Sequence, residues 1–421
     1  MPSTLADWLH YLESLHPKSI ALGLERVEQV RQRLDLRPDF PVIVVGGTNG
    51  KGSVCAMLES ILYAAGYRVG CYTSPHLLHY NERVRIAKQA VSDAELCASF
   101  EKIEQARGDT PLTYFEFGTL SAMQCFIERK VEVAILEVGL GGRLDAVNVF
   151  DNDCAIVTNV DIDHTDYLGD TREQIAFEKA GIFRRNGVAI YADRDVPQST
   201  RNQAQLMGAE LWCIGSEFGF TPHQGQWDYR SQAGARSSLP HPALRGAFQL
   251  HNASAALAAL DVLKTCLPVD MAAVRRGLSE VQLAGRFQFV PGKPQLILDV
   301  AHNPHAARSL ARNLASLPPA KTYAVFAMLK DKDMAGVVEA LEPYVDTWLV
   351  SQIDTPRTAT ADELADVLRQ CGVRGNIQTC QNITEAVSEA YKAADENDRI
   401  AAFGSFYTVA EVMKIRELHV F

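Results

Sequence analysis

The feature that most restricts this chain is the octet Gly46-Gly47-Thr48-Asn49-Gly50-Lys51-Gly52-Ser53, set between an apolar run at 41–47 and a helical pattern at 53–65. Glycines let a backbone turn sharply and aim successive N–H groups at one point, so a loop of this kind cradles phosphate. The helix start adds partial positive charge, Lys51 adds a full one, and the Ser53 hydroxyl suits Mg²⁺ or phosphate. The spacing departs from the strict Walker pattern: the first glycine is displaced, and Gly52 separates Lys51 from Ser53. A phosphate loop at a strand end predicts an open α/β sheet, because ligands collect beyond the carboxyl ends of such strands.

The rest of the chain keeps that rhythm. Val54, Met57, Leu58, Ile61, Leu62 and Ala65 fall at helical spacing, and Gly66 supplies a left-handed helix end. A strand follows at 68–73, and the continuous apolar runs at 131–138 and 154–160 read as parallel strands covered on both faces. Residues 212–242, richer in Gly, Ser, Gln and aromatics, read as short antiparallel strands and loops. From 294 the alternation restarts, with strands at 295–301, 322–328, 347–351, 376–380 and 399–403 and helices such as 361–371 and 383–394. The expected class is α/β. A larger N-terminal P-loop ATPase domain over 1–290, with a mostly parallel sheet, precedes a smaller C-terminal Rossmann-like domain over 295–421. The Pro/Gly cluster at 290–294 marks the boundary.

Composition narrows the function. Against 51 Asp and Glu stand 41 Lys and Arg, and the interspersed net charge of −10 disfavours nucleic acid as a partner. Nine cysteines stand singly with no CxxC pair, which points to reduced core thiols rather than a zinc site. No apolar stretch approaches the ~20 residues that span a bilayer, and the N-terminal residues lack a leader pattern. A cytoplasmic monomer without a membrane partner is expected.

The strand ends carry the chemistry. The strand at 68–73 delivers Ser74 within Thr73-Ser74-Pro75-His76. The next carries Glu137, followed by Gly139-Leu140-Gly141-Gly142-Arg143. The run at 154–160 leads into Asp161-Ile162-Asp163-His164. A hydroxyl, a carboxylate and an imidazole near bound phosphates can hold Mg²⁺ while leaving positions for phosphate oxygens. Lys179 ends a helical stretch for which Asp170 and Glu173 are spaced as a capping box. A lysine there complements the helix dipole; shielded from water, it can also lose its proton and react. In the C-terminal half, Asp299-Val300-Ala301-His302-Asn303-Pro304-His305 and Gly404-Ser405-Phe406-Tyr407 follow strands, as ligand-recognition loops or as ordinary turns.

Together these segments resemble the folylpolyglutamate synthases. GGTNGKGS, TSPHL, ILEVGLGGRLDAVN, DIDHTDYLG, FEKAGIF, GRFQ, LDVAHNPHA and FGSFYTV stand in that family's order, from about Leu5 to Val412. GTNGKGS alone is shared with the muramyl peptide ligases. The resemblance implies an ATPase domain and a Rossmann-like domain with catalysis in the cleft between them. It implies that Thr48, Asn49, Gly50, Lys51, Gly52 and Ser53 surround the ATP phosphates, and that Asn252, Arg286 and Asp299 contact the nucleotide. Ser53, Ser74, Glu137 and His164 match magnesium ligands, with two ions expected and a monovalent cation besides. Lys179 matches a lysine carbamylated by CO₂, and His302, Ser405 and Tyr407 match positions for glutamate binding or catalysis. Lys51, His164, Lys179, Asp299 and His302 form the implied catalytic set.

Bifunctional members also hold dihydropteroate. Leu22, Gly23 and Leu24 of the LGLER segment, Thr113 and Phe115, and Leu144, Asp145 and Ala146 match that site, while Ala21 stands where close relatives often have aspartate. The implied activity is ATP-dependent addition of L-glutamate to dihydropteroate and to the γ-carboxylate of reduced folates, through an acyl phosphate. The alternatives are a monofunctional folylpolyglutamate synthase, a muramyl peptide ligase, a non-catalytic ATP switch and a P-loop kinase. TSPHL and LGLER argue against the muramyl ligase. The intact Lys51, Ser74, Glu137 and His164 argue against the switch, and the loop's departure from the strict motif argues against the kinase.

Overall fold

A computed structural model describes residues 2–18 and 20–420. They form two compact units, one built from the chain up to Ala243 with Leu250–Val281, the other from Leu244–Gln249 and the residues from Gln282 onward.

In the first unit, short apolar runs become Val42–Gly46 (β1), Val69–Tyr72 (β2), Val84–Ile86 (β3), Gln89–Ala90 (β4), Val133–Glu137 (β5), Cys154–Val157 (β6), Val188–Tyr191 (β7) and Glu210–Cys213 (β8). Their order is β4-β3-β2-β5-β1-β6-β7-β8, parallel throughout except for β3 and β4. The residues of β1, β2, β5 and β6 are all buried, as their unbroken apolar character requires. The strand order switches at β1, with β2 and β5 to one side and β6 to β8 to the other. Val45 pairs with Glu137 and Gly46 with Val157, so the loops after β5, β1 and β6 leave the sheet side by side.

The phosphate-loop helix runs Lys51–Ala64, starting two residues earlier than the apolar spacing suggests. Gly66 closes it at φ 96°, donating its N–H to Tyr63 O. Helices Leu5–Ser14, Asp93–Arg107 and Tyr114–Glu128 bring Trp8, Phe100 and Phe117 into one core with Val42 and Val44. Beyond β8, Phe218–Pro222 (β9), Gln226–Ser231 (β10) and Gly234–Pro240 (β11) make a separate antiparallel sheet, as 212–242 suggests. The buried Asp261 fastens it to helix Gln249–Val262, meeting Tyr229 Oη at 2.9 Å and Arg236 at 2.5 Å.

The second unit carries Gln288–Val290 (β12), Gln295–Leu298 (β13), Thr322–Phe326 (β14), Thr347–Val350 (β15), Asn376–Thr379 (β16) and Arg399–Phe403 (β17), ordered β12-β13-β17-β14-β15-β16. Only β12 is antiparallel. This strand corrects the expected boundary. Residues 288–290 pair with β13, so the Pro/Gly cluster at 290–294 is a hairpin turn inside the second unit, and the division falls after Val281. Among the described residues no helix is long and apolar enough to cross a membrane.

Candidate active site

The loop after β1 is held open by the strand beside it. Thr48 N–H donates to Asn159 O (2.9 Å), Asn49 N–H to Asn159 Oδ1 (3.0 Å), and Thr158 Oγ1 to Asn49 O (2.6 Å). Thr48 Oγ1 exchanges hydrogen bonds with the Asp161 backbone, which ties the loop to the segment leading to His164. Two glycines are obligatory here. Gly47, at φ 137°, would place a Cβ 1.8 Å from Thr158 Oγ1; Gly50, at φ 84°, would place one 2.7 Å from Asn252 Oδ1. Asn252, buried on helix Gln249–Val262, thus sits directly against the loop. Gly52 and Ser53 are buried in the first turn of the following helix.

Two lysines converge on one carbonyl. Lys51 Nζ lies 3.0 Å from Gly47 O, and Lys179 Nζ lies 3.1 Å from the same oxygen. Lys179 is only 5% exposed. Burial first, then repulsion from Lys51, pushes it down to about 7, against an opposing pull from Asp163 and Asp145. The glycine-rich loop after β5 packs on the backbone at the end of the helix that carries Lys179. A Cβ on Gly142 would meet Glu178 O and Lys179 O at 2.8 Å, and Arg143 N–H donates to Glu178 O at 2.7 Å.

The helix carrying Lys179, Arg172–Ala180, is capped one residue later than its sequence suggests. Thr171 and Gln174 form the capping box, not Asp170 and Glu173. Glu173 instead accepts the backbone N–H groups of Gln198 and Ser199 at the start of helix Gln198–Met207.

Glu137 ends β5 as a buried carboxylate and accepts the Ser74 N–H at 3.0 Å, joining two of the expected metal residues. His164 is exposed, in left-handed conformation at φ 54°, with Nε2 3.9 Å from Asp163 Oδ2. Among the described residues no three His, Cys, Asp or Glu side chains form a ready metal cage. A hydroxyl, a carboxylate and an imidazole beside a phosphate loop nevertheless fit Mg²⁺, which keeps several waters and phosphate oxygens in its shell.

The segments expected to hold the pterin are joined through Glu116. Thr113 caps helix Tyr114–Glu128, and its own N–H donates to Glu116 Oε2 at 2.7 Å. Glu116 Oε1 accepts from Arg26 Nη2 at 2.8 Å, and Arg26 Nη2 also donates to Ala21 O. Gly23 N–H reaches Leu144 O at 3.4 Å, so the turn carrying Leu22, Gly23 and Leu24 rests on the 144–146 segment. Asp145 is buried beside the buried Ala146, and accepts N–H groups from Leu140 (2.8 Å) and Val147 (3.1 Å). Burial pushes Asp145 up to about 7, the hydrogen bonds and Lys51 opposing. Phe115 lies against Gly139, where a Cβ would stand 2.7 Å from its ring.

In the second unit, Asp299 at the end of β13 accepts from Phe287 N–H (2.9 Å) and Ala301 N–H (2.8 Å). Burial raises it to about 6, with Arg286 opposing. The Arg286 guanidinium stands 5.1 Å from the Phe406 ring centre. His302 Nδ1 lies 2.8 Å from Val300 O, an acceptor, which assigns a proton to that nitrogen. Gly404 N–H donates to Ala301 O, so the two turns that bear His302 and Tyr407 adjoin. Tyr407 is exposed. The Ser405 hydroxyl is occupied in capping helix Phe406–Ile415, where it meets Thr408 N–H at 2.9 Å and Thr408 Oγ1 at 2.7 Å.

Thr158 and Asn159, which shape the phosphate loop, were not singled out from the sequence; two polar residues closing an apolar strand are the signal that marks them.

Comparison with known proteins agrees with this geometry. Residues 45–260 match the Mur ligase middle domain, and residues 285–406 match the Mur ligase glutamate ligase domain. The chain is 46% identical to the dihydrofolate synthase/folylpolyglutamate synthase of Escherichia coli (strain K12), over 98% of this chain and 96% of that protein. Its structure is similar to that of E. coli FolC in complex with DHPP and ADP, with a TM-score of 0.94, 44% identity and 99% of each chain covered. It is also similar to a bifunctional folylpolyglutamate synthase/dihydrofolate synthase with Mn, AMPPNP and L-glutamate bound (TM-score 0.92, 47% identity, 99% of this chain and 98% of that one). The chain belongs to the Mur ligase family, among the bifunctional dihydrofolate synthases/folylpolyglutamate synthases.

Proposed function

We propose that this chain is an ATP-dependent ligase that joins L-glutamate to dihydropteroate, making dihydrofolate, and to the γ-carboxylate of reduced folates, making folylpolyglutamates. The observation that carries the reading is the meeting of Lys51 and Lys179 on Gly47 O, inside a loop clamped by Thr158 and Asn159. Such a loop takes the ATP phosphates through Thr48 to Ser53, and Lys51 exchanges the Gly47 and Thr48 carbonyls for phosphate oxygens. The relatives that bind ADP or AMPPNP, DHPP and L-glutamate support the choice of substrates.

The acceptor carboxylate, placed by the turns at 22–24, 113–115 and 144–146, attacks the γ-phosphorus. The bond to ADP breaks and an acyl phosphate forms. The glutamate amine then attacks the acyl carbon, inorganic phosphate leaves, and the amine loses a proton as the amide forms. Ser53, Ser74, Glu137 and His164 are the residues to hold Mg²⁺, which when bound neutralises charge on the transferring phosphoryl group. Asn252, Arg286 and Asp299 serve the nucleotide. His302 and Tyr407 serve the glutamate, and Ser405 supports them as a helix cap. Lys179, poised near neutral pH, is the group to take up CO₂ as a carbamate. The protein acts as a cytoplasmic monomer. Incubating it with ATP, glutamate and either acceptor tests the proposal; ATP hydrolysis without an amide product refutes it.

A further inference from the structure

We propose that Glu82 is the positioning residue of the Ser74 loop: its carboxylate holds the loop backbone in the form that offers Ser74 to Mg²⁺. The inference rests on the ligase reading above, through the place that reading gives Ser74. Residues 73–79 link β2 to helix Tyr80–Arg83 and belong to no strand or helix, so no regular element takes their N–H groups. Leu77 and Leu78 are half-buried there. Backbone N–H groups withdrawn from water need an acceptor, and leaving one unpaired costs more than a typical bond returns. One side chain meets three of them in succession. Glu82 Oε2 accepts from Leu77 N–H at 2.7 Å, and Oε1 accepts from Leu78 N–H at 2.7 Å and His79 N–H at 2.6 Å. A carboxylate suits that task, because it only accepts and its two oxygens offer about four lone-pair sites.

The carboxylate is itself fixed, so the loop follows it. Glu82 is buried, and its backbone carbonyl accepts from Arg85 Nη1 at 2.9 Å. Arg85 is in turn locked to Glu59 on the phosphate-loop helix. The neighbouring Asn81 Nδ2 donates to Val91 O at 2.8 Å and to Asp93 Oδ1 at 2.9 Å. Other groups hold the near end of the loop: Thr73 N–H donates to Arg83 O at 2.9 Å and Ser74 N–H to Glu137 Oε2 at 3.0 Å. Ser74 is thus set by two carboxylates with separate tasks. Glu137 touches it and belongs to the residues that hold the ion. Glu82 grips the loop from Leu77 onward with both oxygens engaged by N–H groups, which makes it a support and not a further ligand.

Without Glu82, three N–H groups of a half-buried loop lose their acceptor, and the loop turns them towards water. The Ser74 hydroxyl is then no longer held at the ion's position. The loss falls on metal affinity and spares the phosphate loop, whose bonds to Thr158 and Asn159 do not involve Glu82.

The test is calorimetry of AMPPNP binding to the full chain, with and without Mg²⁺, for the unaltered protein, Glu82→Ala and Glu82→Gln. Without the ion the Kd stays within about twofold in both variants; with it, Glu82→Ala weakens binding about tenfold. Glu82→Gln keeps the volume and one acceptor oxygen, so its loss is smaller, about threefold. In amide formation the Mg²⁺ concentration for half-maximal rate rises by the same factors, while kcat at saturating Mg²⁺ falls less than about threefold. Equal weakening with and without the ion, or no weakening in either variant, overturns the assignment. Should neither variant fold, hydrogen exchange resolved to single amides of the unaltered chain decides. The Leu77, Leu78 and His79 amides exchange at least about 100-fold more slowly than in a free chain, and Mg²⁺ with AMPPNP slows them further. Unprotected exchange at those amides, or no response to the ion, overturns it. An unaltered chain that binds Mg²⁺ and AMPPNP in this way yet forms no amide refutes the ligase reading and leaves the role of Glu82 standing.

Discussion

Folding strongly alters the ionisation of two buried side chains of the site, Asp145 and Lys179. Asp145 has a folded value near 7 against an ordinary 3.8, because burial disfavours its charge. It therefore adds stability below pH ~3.8 and loses that contribution as pH rises towards 7. Lys179 has a folded value near 7 against 10.5. Its cost is full below pH 7 and lifts as pH rises from 7 to 10.5, since the unfolded chain then binds the extra proton. At 1.36 kcal/mol per unit, each shift is worth on the order of 4–5 kcal/mol. Denaturant unfolding of the ligand-free protein across this range should show a minimum in their joint contribution near pH 7. Asp145→Asn flattens the acid limb and Lys179→Met the alkaline one; an unchanged profile in both variants contradicts the burial argument. Gly50→Ala is a backbone test of the same loop. At φ 84° and 2.7 Å from Asn252 Oδ1, the added methyl strains the turn. ATP affinity should drop at least about tenfold while the melting temperature moves by only a few degrees. Ala21 contributes its carbonyl to Arg26, which any residue supplies, so dihydropteroate use should survive its difference from close relatives.

At the scale of elements, the ion pair of Glu59 and Arg85 fastens the β2–β3 hairpin to the phosphate-loop helix. Both side chains are buried, 2.9 Å apart, and Arg85 also donates to Thr73 Oγ1 and Glu82 O. Glu59→Gln leaves a buried cation, and chemical unfolding should register a loss of about 3 kcal/mol. Replacing both partners with apolar residues should recover part of it; no recovery would mean that the pair carries specific hydrogen bonding that packing cannot replace. Helix caps give a smaller test. Ser405→Ala removes the acceptor for Thr408 N–H and should cost about 1 kcal/mol, largely restored by Ser405→Thr. Strands β1, β2, β5 and β6 of the first sheet and β13 to β17 of the second were legible, most of them as apolar runs, whereas β7 and β8 were not singled out and the end of β8 fell in the segment read as antiparallel. Strands β3 and β4 were not legible either: they are two or three residues long, and β3 points Arg85 inward to a partner 26 positions away. β12 was missed for a related reason, since a Pro/Gly cluster reads equally as a linker or as the turn of a hairpin.

Over the whole molecule, the order of motifs in the sequence carried the family, and strand-end reasoning named Ser74 and Glu137, which a hydrogen bond joins. Three things depended on tertiary contact and could not be read. They are the burial of Lys179, the joining of the 22–26 and 113–116 segments through Glu116, and the use of the Ser405 hydroxyl as a cap. The two compact units each keep a core of their own, the first around Trp8, Phe100 and Phe117, the second around Phe326, Trp348 and Phe403. The central claim is that one phosphate loop and one acceptor site serve two amide-forming reactions. The most direct measurement is mass spectrometry of products formed with ATP and L-glutamate from dihydropteroate and from tetrahydrofolate, offered separately. The account predicts one added glutamate on dihydropteroate, one or more on tetrahydrofolate, and one ADP released per amide formed. ADP release with neither product would contradict it.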